Sequence, residues 1–225
     1  MPSEQSPPPQ PADEVRTPVS ELDADGDRAG NGLHRRAWRY GELTQADIVA
    51  AALRICRREG LNRVTMRKLA AELGLSSMNV YYYVSSKGDL FDLVADAVLG
   101  QIPEPPEGID GWDQQLVFLF REGRTRLLEY PGVSDHLLVH VMGRPNALRL
   151  HRILDAILTG AGFSSATSTH VLRVLTYFLF GAVSQELATS RSDDRTDTPA
   201  FTDNDAVFDF GLGLMLDGLR ARLST

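Results

Sequence analysis

One short segment of the chain combines apolar anchors, small residues and a polar face at spacings that suit the reading of a DNA duplex. The run Leu69-Ala70-x3-Gly74-Leu75-x4-Val80 lets two short helices cross closely, with Gly74 in the turn between them. The inner core of the pair comes from Leu69, Leu73, Leu75, Val80 and Val84, and the close crossing from Ala70 and Ala71. The outer face keeps Ser77, Asn79, Tyr82 and Tyr83 available. Residues 65–84 therefore predict a helix-turn-helix, whose second helix enters the major groove; an ordinary helical hairpin is the alternative.

Positive charge is concentrated around this segment although the whole chain carries a net charge of −7. Residues 33–87 hold ten basic and four acidic residues, net +6, whereas residues 1–32 hold two and seven, net −5. Residues 88–225 hold eleven and nineteen, net −8. Phosphate binding responds to local charge, so the regional value favours DNA as a partner. The ten basic residues are Arg35, Arg36, Arg39, Arg54, Arg57, Arg58, Arg63, Arg67, Lys68 and Lys87.

Capping signals predict four helices in this basic region. Thr44 with Asp47 resembles a capping box, and Gly60 follows the first helix. Thr65 caps a second helix that ends at Leu73, before Gly74, and Ser76 caps a third that runs to about Val84. Ser86 with Asp89 forms another capping box. It opens a fourth helix whose inward residues are Leu90, Leu93, Val94, Ala97 and Val98.

The remainder of the chain is also predicted to be helical, and the fold class is all-α. Helical stretches lie near 112–130, 134–142, 145–160, 165–189 and 203–223, and no stretch alternates as a strand would. The acidic, Pro-rich residues 1–32 are predicted to be a disordered tail. The breakers Pro103, Pro105, Pro106 and Gly108 divide a helix-turn-helix DNA-binding domain, residues 33–100, from a larger ligand-binding and dimerisation domain, residues 101–225.

Several classes of protein are disfavoured by the composition. A single cysteine, Cys56, permits neither an internal disulfide nor a cysteine metal cluster, and it is interpreted as a small core residue. No apolar run approaches the roughly 20 residues that cross a bilayer, and no signal peptide is evident, so we expect a cytoplasmic protein with no membrane partner. No phosphate loop, zinc spacing or nucleophile elbow occurs. We therefore expect no enzyme activity, no metal and no cofactor.

Longer stretches of the sequence resemble one family. The stretch from Thr44 to Leu90, above all VTMRKLAAELGLSSMNVYYYVSSKGDLFDLVADAV, resembles the DNA-binding domain of the TetR (tetracycline repressor) family. The stretches YPGVSDHLLVHVMGRPNALRLHRILDAILTGAGF, YFLFGAVSQE and FDFGLGLMLDGLRARL resemble the C-terminal domain of its tetracycline-repressor branch. The resemblance implies a transcriptional regulator, most often a repressor, that a small molecule releases from a palindromic operator in double-stranded DNA.

The resemblance also assigns roles to residues of the DNA-binding half. Ser77, Met78 and Asn79 begin the recognition helix, where Asn pairs with adenine and Met contacts a thymine methyl group. Tyr81 and Lys87 match residues that bind phosphate, and Tyr82 matches an aromatic residue that packs on bases or sugar. Tyr83 replaces a common family histidine, and Arg67 reaches a base or a phosphate. The basic arm Arg35, Arg36, Trp38 and Arg39 lies in the minor groove or is a solvated linker.

The C-terminal half is expected to dimerise and to bind the effector. The helices near 165–189 and 203–223 form an intersubunit four-helix bundle in the family, and Gly181, Gly211, Gly213 and Gly218 suit a close approach. The alternative for these helices is internal core packing. Candidates for an apolar pocket with polar groups, or for core positions, are Trp112, Phe118, Phe120, His136, His140, Met142, Tyr177 and Phe178.

His140 lies close to the position of a tetracycline-repressor histidine that binds drug-borne magnesium. Gln185 stands where those repressors have an acidic partner, with Glu186 one position further on. We therefore interpret His140 as a pocket or core histidine rather than as a metal ligand. Three other functions remain alternatives: a ligand-sequestering protein without specific DNA binding, an activator or nucleoid-type binder, and a small helical enzyme.

Overall fold

The computed structural model describes residues 43–140, 143–190 and 203–224. Within these ranges the regular structure is α-helical, with one 3₁₀ turn at Leu61–Arg63 and no strand. The N-terminal tail, the basic arm and Met142 fall outside the described residues. The helices are α1 (Gln45–Glu59), α2 (Met66–Leu73), α3 (Ser77–Tyr81), α4 (Lys87–Leu99), α5 (Trp112–Leu128), α6 (Val133–Val139), α7 (Pro145–Gly160), α8 (Ser165–Thr189) and α9 (Asn204–Leu223).

The N-terminal helices begin where their caps predict. The Thr44 capping box is complete: Asp47 N donates to Thr44 Oγ1 at 3.3 Å, and Thr44 N donates to Asp47 Oδ2 at 2.9 Å. Ser86 caps α4 by accepting from Asp89 N. The second half of the predicted box at Ser86 is wrong, because the Asp89 carboxylate accepts instead from the backbone N–H and hydroxyl of Ser85.

The turn between α2 and α3 has the geometry that the sequence predicts. Gly74 adopts φ 70° and ψ 30°, a left-handed conformation that glycine adopts without strain. Leu75 N donates to Ala70 O at 2.8 Å, which closes the end of α2. Ala70 is buried in the helix contact, but the prediction for Ala71 is wrong, because its side chain faces outward. The recognition helix is also shorter than predicted, since α3 ends at Tyr81.

A compact core joins α1 to α4. Ile48, Leu69, Val80 and Leu90 are fully buried. Cys56 lies in the same core, and its burial raises the pKa of the thiol to about 12. The interpretation of Cys56 as a core residue is confirmed.

Ion pairs fasten α5 to the last two helices. Arg121 makes two hydrogen bonds to Asp209, and Arg124 bonds Glu186 and Asp205. Arg220, near the end of α9, reaches back to Asp113 at the start of α5 and lowers the pKa of that carboxyl group. These contacts hold α8 and α9 against α5 along its length.

The two predicted domains are in contact at two places. Leu61 N donates to Pro131 O at 2.8 Å, beside an ion pair from Arg57 to Glu129 and a 3.0 Å bond from Arg57 to the Tyr130 hydroxyl. At the second place, α4 packs on α5, α6 and α7. All described residues belong to one compact unit, so the division at residue 100 stays a prediction.

Helix α8 is more apolar than the sequence analysis recognised. By length and composition alone it is able to cross a membrane, with a mean hydropathy of 1.2, which corrects the statement that no such run exists. Within the fold, Leu172, Leu175, Leu179 and Val183 of α8 are buried against neighbouring helices. A core helix of a soluble protein passes the same test, so the finding is weak evidence for a membrane.

Candidate nucleic-acid interface and ligand cavity

Helix α3 presents a face of large side chains that nothing in the described chain covers. The exposed fractions are 69% for Met78, 52% for Tyr81 and 79% for Tyr82. Val80, on the opposite face, is fully buried and fixes the orientation of the helix. Exposing three large, partly apolar side chains to water is unfavourable unless a partner covers them. This face is therefore available to a binding partner.

Three further predicted contact residues are only partly exposed. Ser77 and Asn79 sit beside Met78 on the first turn, and no other described residue bonds the Asn79 side-chain amide. Tyr83 packs against the core, while its backbone carbonyl accepts from Gln45 Nε2 at 3.0 Å. The burial of Tyr83 makes it less available to a phosphate than Tyr81.

Fewer basic side chains are available to DNA than the sequence suggests, because several are paired with carboxylates. Arg54 and Arg58 both pair with Glu72, Lys68 pairs with Glu59, and Arg57 pairs with Glu129. Among the described residues, the exposed cations Arg63, Arg67 and Lys87 have no carboxylate within ion-pair distance. Lys87 lies over the Phe91 ring, with its Nζ 5.1 Å from the ring centroid. Arg67 and Lys87 therefore remain the free cations among the predicted contact residues.

A cavity of about 710 Å³ lies in the C-terminal half, within the range of ligand pockets. It is bounded by the end of α4 and by α5, α6, α7 and α8. Of the predicted pocket residues, Phe120, His140 and Tyr177 line it.

The other predicted pocket residues have different neighbours. Trp112 packs edge-on against Phe163, and Phe178 stacks on Phe208 of α9. His136 lies outside the cavity wall and bonds Asp92 of α4 at 2.7 Å. Phe118 packs on the core. Trp112, Phe118, His136 and Phe178 do not line this cavity. Trp112, Phe118 and Phe178 pack on the core, which is the alternative that the sequence left open; a ligand-binding role for the four stays a prediction.

Polar residues that the sequence analysis missed also line the cavity. His151 of α7 and Thr169, Arg173 and Thr176 of α8 belong to its wall. On α8 the spacing of Thr169, Arg173, Thr176 and Tyr177 places them on one helical face. This polar stripe on an otherwise apolar helix was the available signal.

Three aspartates on one side of α4 connect it to the cavity walls. Asp89 pairs with Arg144 and Asp92 bonds His136. Burial raises the pKa of Asp89, but bonds from Arg144 and Ser85 outweigh this effect and lower its pKa below the ordinary value. The His136 ring also stacks on the cavity residue His140, with centroids 4.1 Å apart.

The third aspartate, Asp96, is buried and caps the start of α7. Its carboxylate accepts from Asn146 N at 3.1 Å, Asn146 Nδ2 at 3.0 Å and Ala147 N at 2.9 Å. In return, Arg149 of α7 donates to the carbonyl of Ile102 at 2.8 Å, just beyond the end of α4. The C-terminal end of α4 and the N-terminal end of α7, whose dipoles are opposite, therefore lie together, and each helix hydrogen-bonds backbone groups at the end of the other.

The acidic residue considered beside His140 is engaged elsewhere. Glu186 is bonded to Arg124 and does not line the cavity. Within the described ranges, no cluster of three His, Cys, Asp or Glu residues is arranged to hold a metal ion.

Comparison with known proteins defines the class to which this helix-turn-helix and cavity belong. Residues 48–94 match the family of bacterial regulatory proteins described as the tetR family. An HTH-type transcriptional regulator of Saccharopolyspora erythraea is 32% identical over 152 residues, 68% of this chain and 64% of that protein. The class A tetracycline repressor of transposon 1721 in Escherichia coli is 31% identical over 203 residues, 80% of this chain and 92% of the repressor.

Solved structures agree with this class. A variant of TetR from Acinetobacter baumannii AYE in complex with minocycline is 26% identical, with a TM-score of 0.71 over 82% of this chain and all of that one. The fold and its DNA-reading motif are those of a transcriptional regulator. The chain belongs to the TetR family.

The capping role of Asp96 makes a testable prediction for stability. We expect Asp96→Asn to lower the free energy of unfolding by about 2–4 kcal/mol, because an amide NH₂ would face buried N–H donors. Urea unfolding followed by circular dichroism at one protein concentration measures this loss. The control Asp217→Asn removes an exposed carboxylate and should change stability by less than about 0.5 kcal/mol. Equal stability of the two variants would contradict the capping role.

Proposed function

We propose that the protein is a homodimeric repressor that leaves a palindromic operator when a small molecule fills the cavity. The observation that carries this proposal is the path of α4. Lys87, one of the predicted DNA contacts, begins the helix, and Leu99 ends it in the cavity wall. One helix therefore carries both a predicted DNA contact and a residue of the cavity. A cytoplasmic location belongs to the proposal, because the DNA lies there.

The proposed DNA contacts divide into two kinds. Asn79 and Met78 read base edges from the first turn of α3, with Ser77 beside them. Tyr81, Lys87 and Arg67 bind the backbone and set the register, and Tyr82 packs on a base or sugar. The exposure of Met78, Tyr81 and Tyr82 supports this division. Tyr83 is a weaker candidate, because it packs on the core.

The proposed release mechanism acts through the aspartates of α4. A ligand that contacts His140 or the α7 wall displaces α6 or α7, to which Asp92, Asp89 and Asp96 attach α4. A displaced α4 moves Lys87 with it and, through its packing on α1, shifts α2 and α3. The recognition helices of the dimer then no longer fit successive major grooves about 34–36 Å apart.

Dimerisation is proposed to use the outer faces of α8 and α9. Val207, Phe210 and Leu214 of α9 are 57%, 69% and 58% exposed and lie at three- and four-residue spacing. Val174 of α8 is 58% exposed beside them, across a groove of about 480 Å³. Such a contiguous apolar surface is typical of a homodimer interface.

The glycines of these helices separate into two groups. A Cβ on Gly211 would lie 2.8 Å from the Phe178 ring, so this glycine serves packing within the chain. Gly181, Gly213 and Gly218 have nothing in the described chain within 4 Å of such a Cβ. These three support a close approach of the partner helices.

Operator binding tests the proposed function directly. Genomic fragments selected on the purified protein should yield one preferred palindrome. Asn79→Ala should relax specificity at one base pair of each half-site by on the order of 1–3 kcal/mol. Tyr81→Ala and Lys87→Ala should weaken binding to cognate and to scrambled DNA about equally. Lys87→Ala should also lower the slope of log affinity against log salt concentration by about one unit.

Fluorescence anisotropy at several salt concentrations measures both effects. Arg152→Ala, which removes an exposed cation from α7, serves as the control and should bind as the wild type does. If no fragment is preferred over scrambled DNA, the repressor proposal fails. If Asn79→Ala loses the same affinity for cognate DNA as for scrambled DNA, Asn79 does not read bases.

The dimer surface gives a separate prediction. Phe210→Asp places a charge in the centre of the proposed contact and should convert the dimer to a monomer, with at least a tenfold loss of operator affinity. Sedimentation analysis and anisotropy measure the two effects. Ala156→Asp adds the same charge to an exposed position of α7 and should leave the dimer intact. A Phe210→Asp protein that stays dimeric would exclude this surface.

A further inference from the structure

The charge pattern of the cavity differs from that of the rest of the C-terminal half. Residues 88–225 are net −8, yet none of the described residues that line the cavity is Asp or Glu. The described lining is largely Leu, Ile, Val and Phe, and the one permanently charged side chain within it is that of Arg173. The described lining of this apolar space therefore holds no carboxylate, and its guanidinium belongs to a side chain that is exposed to solvent.

Arg173 is the arginine of the described cavity lining, and its contacts differ from those of four arginines on or next to α5 and α7. Arg121, Arg124, Arg144 and Arg149 all pair with carboxylates. Among the described residues, no carboxylate lies within ion-pair distance of Arg173. Its Nε donates instead to the Tyr177 hydroxyl at 2.9 Å, and Tyr177 lines the same cavity. This bond orients the guanidinium and leaves both terminal nitrogens without a described partner.

None of the neighbouring polar groups that the structure describes is bonded to those nitrogens. The hydroxyl of Thr169 donates to Ser165 O, and the hydroxyl of Thr176 donates to Leu172 O. His140 Nδ1 donates to His136 O at 3.1 Å, because a carbonyl only accepts. An oriented guanidinium fork of this kind matches a group with two acidic oxygens.

We infer that the effector is a lipophilic monoanion, with an apolar body that fills the cavity and one acidic oxygen group that pairs with Arg173. This inference rests on the proposed ligand-binding role of the cavity. The apolar body packs against the aliphatic lining, and the anion is a partner that no described carboxylate provides for Arg173. A neutral molecule of the same shape leaves Arg173 unpaired and binds less tightly.

Two dyes with one ring skeleton provide the test. The fluorescent probe 8-anilinonaphthalene-1-sulfonate carries an anion, and N-phenyl-1-naphthylamine is the same molecule without it. Both are titrated into the full-length protein, and mutual displacement identifies their shared site. Dodecanoate and dodecanol, compared by calorimetry, repeat the comparison with a chain-like body and a carboxylate.

The expected result is a change in the preference between the two dyes. Arg173→Gln should weaken binding of the sulfonate by about threefold to fivefold and leave binding of the neutral amine unchanged, because the arginine is exposed. Arg173→Lys should keep part of the preference, because the charge remains without the fork. Arg152→Gln removes an exposed arginine that does not line the cavity and should match the wild type.

Three outcomes would overturn the inference. They are an unchanged preference in Arg173→Gln, an equal loss of both dyes, and dissociation of the dimer with the preference retained, which would place Arg173 in the subunit contact. Failure of the proposed function is distinguished by operator binding of the wild-type protein. A protein that binds its operator but shows no charge preference refutes the anionic effector alone.

Discussion

The end of α4 and the beginning of α7 lie against each other, and each supplies what the other lacks. The first N–H groups of α7 have no partners within their own helix, and the buried carboxylate of Asp96 accepts two of them. The last carbonyl groups of α4 and those just after it likewise have no partner within the helix. Arg149 of α7 donates to one of them, the carbonyl of Ile102. Because both caps are hydrogen-bonded and one is a buried charge, the helices cannot separate without leaving unpaired polar groups.

Much of the architecture that matters for function follows from this contact. It sets α7 as one wall of the cavity and brings Arg144 to Asp89, two residues from Lys87. A second attachment joins Arg57 to Glu129 and Tyr130 at the corner between α5 and α6. In the proposed mechanism this corner acts as a pivot. Displacement of α6 or α7 then rotates the DNA-binding helices about it.

Local signals predicted the helices well because each was determined by neighbouring residues. Thr44, Thr65, Ser76 and Ser86 each accept a backbone N–H three residues ahead, and Gly74 takes the left-handed turn. The helical stretches beyond Pro103 were confirmed to within a few residues. The exposure of Met78, Tyr81 and Tyr82 follows from the burial of Val80 on the other face.

Features that depend on distant partners were not predictable in this way. Asp96 stands in the apolar run Val94 to Val98, and only the arrival of α7 fifty residues later gives its carboxylate a partner. A lone carboxylate in such a run was the signal available. The regional charge of +6 likewise hid the pairing of Arg54 and Arg58 with Glu72. For aromatic residues such as Trp112 and Phe178, the sequence does not distinguish a position in the core from a position in the cavity wall.

In the proposed mechanism the cavity controls the separation of the two recognition helices through α4. Electron–electron distance measurements on spin labels at Ala71→Cys test it most directly. Ala71 is exposed on α2, and buried Cys56, with its pKa raised to about 12, stays unlabelled. We predict a label distance that shifts by several ångströms when an effector found by thermal-shift screening saturates the free dimer. Identical distance distributions with and without an effector that releases the operator would contradict the account.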